Sequence, residues 1–377
     1  MVADLVVLFF LLYGMIYVIS NFKSLLGAKK AVSPSSERWP IVAVIAPYKG
    51  IEPEMENNLA SLFSQDYPSS FEIIFVTQSE DDPAYGVIRQ FLASRPDVRA
   101  KLVTAGEAVA SNQKLSNQLR ALREVSKDTE VLTFIDSDLR VSPMWLRSLV
   151  APLDHSGVGA TTGYRLFRPQ GKFWDSVCAL WDSVNLLALS YPRISFPWGG
   201  SMAMRCELFR QLDVARIWRK SLTDDLSLGR VLREKGFRIT FSPLACGITP
   251  SPSSLSEFWR WATRQMIMVR LYMRRLWIVS LLGLVFYHLA LIGSGFLWVS
   301  GGWLRVALPT LLLSRVVGIL LRKRAVEILS AGNIRWHLFI LLLDPLMPTL
   351  SLFLWFAAWR AKEIEWRGII YCLNDYR

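Results

Sequence analysis

Asp136-Ser137-Asp138 sets two carboxylates two residues apart at the end of an apolar run, Val131-Leu132-Thr133-Phe134-Ile135. The run reads as a β-strand, and open α/β sheets bind ligands beyond the carboxyl ends of their strands. A strand that delivers Asp-x-Asp there offers oxygen ligands to a hard divalent cation, Mg2+ or Mn2+, carrying a nucleotide diphosphate. The competing explanation is a turn, where such acids are also common. Two more acid clusters bear on the choice. Ser79-Glu80-Asp81-Asp82 follows a second apolar run, and Thr223-Asp224-Asp225 precedes a helical stretch, where an N-cap accounts for only one of the two aspartates. Three acid clusters on one side of one sheet repel one another unless a cation or basic groups lie among them.

The elements that must position these acids alternate in type. Strand-like runs at 41–46, 71–76, 99–103, 131–135, 158–164 and 237–241 are interleaved with amphipathic stretches at 54–64, 85–94 and 114–126. A further helix at 226–235 is stopped by Gly236. Such alternation predicts an α/β fold, a doubly wound sheet with flanking helices. The first strand ends Ala46-Pro47-Tyr48-Lys49-Gly50, where proline and glycine shape a loop over the sheet edge.

Hydrophobic residues make up 52% of the 377, and the net charge is +12. The apolar excess is concentrated at both ends, outside 41–253. Residues 2–20 carry one charge, Asp4, and lysines follow at 23, 29 and 30, the reverse of a cleavable signal peptide. An uncleaved transmembrane anchor is expected over 1–26, followed by a linker at 27–40 and a cytoplasmic domain over 41–253. Residues 254–276 mix aromatic side chains with arginines and predict an interfacial amphipathic helix. Transmembrane segments are expected over 277–359, with spans at 277–299 and 303–321 joined by Ser300-Gly301-Gly302 and a basic loop at 322–335. Asp344-Pro345 and Pro348 break the last apolar segment, and a bent or re-entrant path there keeps the basic tail 360–377 in the cytoplasm. The expected location is therefore multi-pass, in the inner or another cell membrane. Basic residues beside the apolar segments point to headgroups, and nucleic acid is excluded because no aromatic-basic motif lies on a soluble surface. Four cysteines without Cys-x-x-Cys spacing and three scattered histidines, at 155, 288 and 337, argue against a zinc site, a disulfide framework and a histidine base.

Sugar transfer fits this set of acids. A leaving diphosphate needs metal, an incoming hydroxyl needs a carboxylate to take its proton, and direct displacement by one base inverts the anomeric carbon. Over residues 42–268 the sequence resembles the GT-A, family-2 glycosyltransferases, and within them is similar to ceramide glucosyltransferases and related bacterial lipid glycosyltransferases. Lys49-Gly50-Ile51-Glu52-Pro53, Asn57-Asn58-Leu59, Gln65-Asp66-Tyr67-Pro68, Asp81-Asp82-Pro83 and Asn112-Gln113-Lys114 carry the resemblance. It implies a GT-A mixed sheet with transmembrane helices at both ends, a UDP-sugar donor (UDP-glucose first) and a lipid hydroxyl such as that of ceramide as acceptor. Glu80 and Asp81 would hold the nucleotide, with Pro47, Lys49 and Lys114 nearby; Asp136 and Asp138 would bind the cation and diphosphate; Asp225 would be the base. Trp198-Gly199-Gly200-Ser201 resembles the small-residue loop over donor and acceptor, with Asp224, Arg264 and Gln265 on the acceptor or diphosphate side. Trp366-Arg367-Gly368 also matches relatives, without an assigned role. Two departures stand out: Ser79 replaces the first acid of the first cluster, and Arg264-Gln265-Met266-Ile267-Met268 lacks the family's Arg-Trp ending. The alternatives are a polysaccharide synthase, which needs more spans, and a non-enzymatic membrane protein whose α/β domain binds nucleotide or acts as a scaffold.

Overall fold

The computed structural model describes residues 2–30, 34–109, 111–192, 194–301, 305–336 and 339–376. Linker residues 31–33, Gly302 of the expected turn, Trp303, His337 and Arg377 lie outside the described residues. The chain divides into two compact units: an α/β unit of residues 31–166, 191–250 and 362–377, and a helical unit of residues 1–30, 167–190 and 251–361.

The α/β unit is built on seven strands: β1 (Val42–Pro47), β2 (Phe71–Thr77), β3 (Ala100–Thr104), β4 (Val131–Ile135), β5 (Val158–Thr162), β6 (Ser201–Arg205) and β7 (Arg238–Phe241). Their order is β3-β2-β1-β4-β6-β5-β7. Strands β1, β2 and β4 are predominantly apolar and almost wholly buried, as parallel strands covered on both faces must be. Six of these strands match the expected runs to within a few residues. The seventh, β6, was not expected, because Ser-Met-Ala-Met-Arg lacks the β-branched residues that mark strands. It pairs antiparallel with both β4 and β5 and makes the sheet mixed.

Register decides what shares the functional edge. Pro47 lies opposite Val76, Ile45 opposite Phe134, and Ile135 opposite Ser201. The carboxyl ends of β1, β2 and β4 therefore meet the amino end of β6. Beneath the sheet, fully buried Trp218 packs edge-on against Phe134 and Phe209, with ring centroids 5.1 and 5.4 Å away. Its indole N–H donates to the Asp224 carbonyl at 3.1 Å, so the core holds the start of helix Asp224–Glu234 directly. Emptying this site with alanine costs about 3–5 kcal/mol. Gly236, at φ 77°, ends that helix in the left-handed conformation the sequence called for.

The expected tail is folded over its described residues. Strands Glu363–Trp366 and Ile369–Cys372 pair as an antiparallel hairpin within the α/β unit.

The helical unit contains helices Val2–Lys29, Leu255–Tyr272, Arg274–Ser300, Ala307–Leu329 and Met347–Arg360. Ser254 caps the second of these by accepting from Glu257 N. Among the described residues, Leu8–Lys29 and Arg274–Val299 are long and apolar enough to cross a membrane. Leu12, Ile16, Ile19, Leu282, Phe286, Leu289 and Phe296 on them are exposed, where an all-round apolar helix has no reason to face water. The basic loop expected at 322–335 is corrected: Ala307–Leu329 runs through its first half because Arg322 is drawn inward. Arg315 Nε lies 2.8 Å from Asp344 Oδ2, and Arg322 pairs with Asp344 Oδ1 and donates to Tyr17 Oη and Ser183 Oγ. The break at Asp344-Pro345 is present, as a short 3-10 turn between Ile340–Leu343 and Met347–Arg360. Arg270 donates to the carbonyls of Ala358, Trp359 and Ala361 and so satisfies the end of the last helix.

Candidate active site

Asp136 leaves β4 at the shared edge, and its N–H donates to the Gly200 carbonyl at 3.2 Å. The loop before β6 is thereby drawn onto the acids. At Gly199 a β-carbon would lie 2.4 Å from Asp224 Oδ2, and at Gly200 it would lie 2.6 Å from Asp136 Oδ2 and 2.3 Å from the Trp198 ring. Only a residue without a side chain fits at either place. Trp198 is held by its N–H, which donates to Thr162 Oγ1 at 2.9 Å, and Arg165 lies over its ring at 5.5 Å.

Lys114 is the hinge of the cluster. Asn112 caps helix Gln113–Ala121 by accepting from Leu115 N at 2.8 Å, which puts Lys114 in the first turn. Its ammonium reaches Asp136 Oδ1 at 2.7 Å, Asp224 Oδ2 at 3.0 Å and the Gly199 carbonyl at 3.3 Å. Burial alone would lower the Lys114 pKa, but Asp136 and Asp224 outweigh it and hold the ammonium charged. One turn on, Gln118 donates to Asp224 Oδ2 at 2.8 Å, so Asp224 is buried and tied from two sides.

Asp225 differs from its neighbour. It is only partly exposed, accepts from Leu226 N at 2.6 Å and from the Thr223 hydroxyl, and has no cation bonded to it among the described contacts. Burial first, and then the Asp224 charge, push its pKa up to about 6. Neither aspartate is the N-cap; Thr223 occupies that position. Two adjacent acids thus acquire different surroundings: Asp224 is the ion-pair partner of Lys114, and Asp225 is a carboxyl with a raised pKa.

Asp138 accepts from Thr249 Oγ1 at 3.0 Å. Burial, followed by the charges of Asp136 and Glu52, raises its pKa to about 6. Such crowding of anions is what a divalent cation relieves. Among the described residues no three His, Cys, Asp or Glu side chains converge to hold a metal unaided. The donor set suits a hard ion that takes one or two carboxylates and completes its shell from phosphate and water.

The first acid cluster divides. Asp82 caps helix Pro83–Ala93 through Ala84 N at 3.0 Å and accepts from Gly50 N at 2.8 Å, while Glu80 and Asp81 are exposed beyond β2. Pro47 ends β1, and Lys49 Nζ donates to Gln78 Oε1 at 3.4 Å. Arg264 and Gln265 lie on helix Leu255–Tyr272 in the helical unit. His288 bonds Leu284 O and Thr349 Oγ1 in that unit, a structural role. Glu52, Gln118, Arg165 and Thr249 were not singled out by type and spacing. Gln118 alone had a signal, four residues beyond Lys114 on one helix face.

Residues 6–376 match the family described as Glycosyl transferase family 21, and the chain belongs to that family. Its number differs from the family-2 label of the resemblance, while the likeness to ceramide glucosyltransferases is borne out. Ceramide glucosyltransferase 1 of Caenorhabditis elegans is 34% identical over 109 residues, covering 29% of this chain and 23% of that protein. Ceramide glucosyltransferase of Komagataella phaffii is 31% identical over 155 residues, 40% of this chain and 29% of that protein. The matched stretches thus span less than a third of these curated relatives. Among solved structures, a mannosyltransferase of Pyrobaculum calidifontis in complex with GDP-Man and Mn2+ superposes with a TM-score of 0.53 at 17% identity, covering 94% of this chain and 97% of that one. At that identity the likeness speaks for the GT-A fold.

Proposed function

We propose that this protein is an inverting glycosyltransferase that moves a sugar from a UDP-sugar, UDP-glucose foremost, to a lipid hydroxyl such as that of ceramide at the cytoplasmic face of a membrane. The observation that carries the reading is the pairing of unlike acids across Lys114: Asp136 and Asp138 on one side, Asp224 and the free-edged Asp225 on the other. In this reading Asp136 and Asp138 hold Mn2+ or Mg2+ with the donor diphosphate. When bound, the ion neutralises the charge that develops on the leaving group. Lys114, charged and locked between two carboxylates, orients Asp136 toward the diphosphate. Asp225 takes the proton of the attacking hydroxyl, and its raised pKa suits that task. Gly199 and Gly200 let the loop close directly against Asp224 and Asp136, which suits the small-residue loop over donor and acceptor. Glu80, Asp81, Pro47 and Lys49 serve the nucleotide side, and Arg264 and Gln265 the acceptor or diphosphate.

Membrane attachment draws support from the two apolar helices. With 41–253 and the basic residues 360–377 both cytoplasmic in this reading, the segment between them crosses the bilayer an even number of times. Ala307–Leu329 suits the return crossing, since its Arg315 and Arg322 face Asp344. Lysines 23, 29 and 30 after the first apolar helix support a cytoplasmic α/β unit.

The test is UDP release by detergent-purified protein with Mn2+ or Mg2+, a panel of UDP-sugars, and total lipid extract present or withheld. One sugar is expected to give lipid-dependent release that EDTA stops and Mn2+ or Mg2+ restores. Absence of release with every donor would move the non-enzymatic reading to the front.

A further inference from the structure

Trp366-Arg367-Gly368 is the one sequence motif left without a part in the reaction. It forms the turn of the C-terminal hairpin, with Arg367 at φ 50° and Gly368 at φ 77°. Left-handed backbone at both central positions matches the twist of an antiparallel pair, but it is disfavoured for a residue with a β-carbon. Asparagine or glycine would sit there more easily, so the choice of arginine calls for another reason.

Its guanidinium supplies one. Arg367 Nη1 donates to the Lys49 carbonyl at 2.6 Å, and Nη2 pairs with the Glu52 carboxylate. Glu52 is 9% exposed and also accepts from Ser137 Oγ at 2.8 Å, the serine between Asp136 and Asp138. From the second hairpin strand, the Tyr371 hydroxyl accepts from the N–H of Gln113 at 3.2 Å, one residue before Lys114. One short hairpin therefore grips the loop after β1, the Asp-x-Asp turn and the start of the Lys114 helix.

We propose that the C-terminal hairpin is an integral part of the donor site, with Arg367 the positioning residue that neutralises Glu52 and holds the Lys49–Glu52 loop against the Asp136-Ser137-Asp138 turn. This rests on the glycosyltransferase reading above. Without the guanidinium, Glu52 is a buried carboxylate with no counter-charge beside two others, and it pulls its loop toward water. That movement disturbs Ser137 and, through it, the two aspartates on either side. A conservative lysine keeps the charge but not the two-pronged grip.

Mn2+ binding to the full-length protein in detergent, followed by loss of the free-ion electron paramagnetic resonance signal with UDP present, tests this apart from activity. Wild type, Arg367→Gln, Arg367→Lys and the double variant Glu52→Gln/Arg367→Gln are compared, each with its melting temperature. Arg367→Gln is expected to weaken UDP-dependent Mn2+ binding by about tenfold, the usual size of losing a group that orients metal ligands. Arg367→Lys recovers part of that loss, and the double variant, which removes both charges, recovers most of it. Wild-type affinity in Arg367→Gln overturns the proposal. So does a double variant as weak as the single one, because the hairpin then acts through packing alone. If wild type itself shows no UDP-dependent Mn2+ site, the glycosyltransferase reading fails first and the hairpin's role falls with it.

Discussion

Asp344 in the helical unit and the acids at the edge of the α/β sheet are both buried carboxylates held by cations, and their surroundings differ in two respects. Asp344 is fully buried and meets two arginines, Arg315 and Arg322, themselves buried and occupied by Asp344, Tyr17 and Ser183. Around β4, by contrast, Glu52, Asp136, Asp138, Asp224 and Asp225 share Lys114, Arg165 and Arg367, so anions are in excess, and Asp136, Asp138 and Asp225 keep partial access to solvent. A cluster closed from water with its acid fully paired acts as a strut. Surplus charge and an open edge call for a ligand. Composition alone does not separate the two, since each combines aspartate with arginine.

The comparison can be broken most decisively at Asp225. Asp225→Asn keeps the shape and removes the proton acceptor, so transfer should fall by about 10²–10⁴-fold, the usual worth of a general base, with the melting temperature nearly unchanged. Residual activity close to wild type would mean that the open cluster, too, is structural. At Asp344 the expectation is reversed. Asp344→Asn leaves two buried guanidinium groups without their counter-charge and should destabilise the helical unit by about 3–5 kcal/mol, read as a lowered unfolding midpoint in detergent, while UDP binding by the remaining folded protein is unaltered.

A smaller and sharper effect is expected from pH. Burial raises the Asp225 pKa to about 6, above its unfolded value, so the folded state holds that proton more tightly. Its contribution to stability is full below the unfolded pKa and is lost as pH rises through about 6, whereas the base becomes competent over the same interval. The acid limb of kcat/KM should therefore bend near pH 6, and Asp225→Glu should move the bend while Asp344→Asn leaves it in place. A limb that bends near pH 4 would assign proton transfer to another group. Smallest of all, Gly200→Ala forces Asp136 and the Trp198 ring aside and should cost about 1–3 kcal/mol of stability, with a rise in donor KM as the accompanying kinetic sign.

Much of this protein was readable before any fold was known. Strand-like runs marked six of the seven strands, with β1, β2 and β4 the most apolar and buried, and long apolar stretches marked the two apolar helices, because burial from water and the bilayer constrain residue type over many consecutive positions. Asp-x-Asp after a strand and an acid pair before a helix marked the site, because such elements end at a fixed edge of the sheet. Strand β6 escaped because methionine and alanine carry little strand signal, and its antiparallel course was set by pairing with β4 and β5. The split between Asp224 and Asp225 depended on which one Lys114 and Gln118 could reach. Arg367 reaches Glu52 across 315 positions of sequence, and spacing carries no information over that distance. Residue type and local pattern thus determined the strands, the apolar helices and the acids. Only tertiary contact decided which acid pairs with Lys114, which does not, and that strands 363–366 and 369–372 return to the Asp-x-Asp turn, because charge pairing depends on separations of a few ångströms that the sheet brings about.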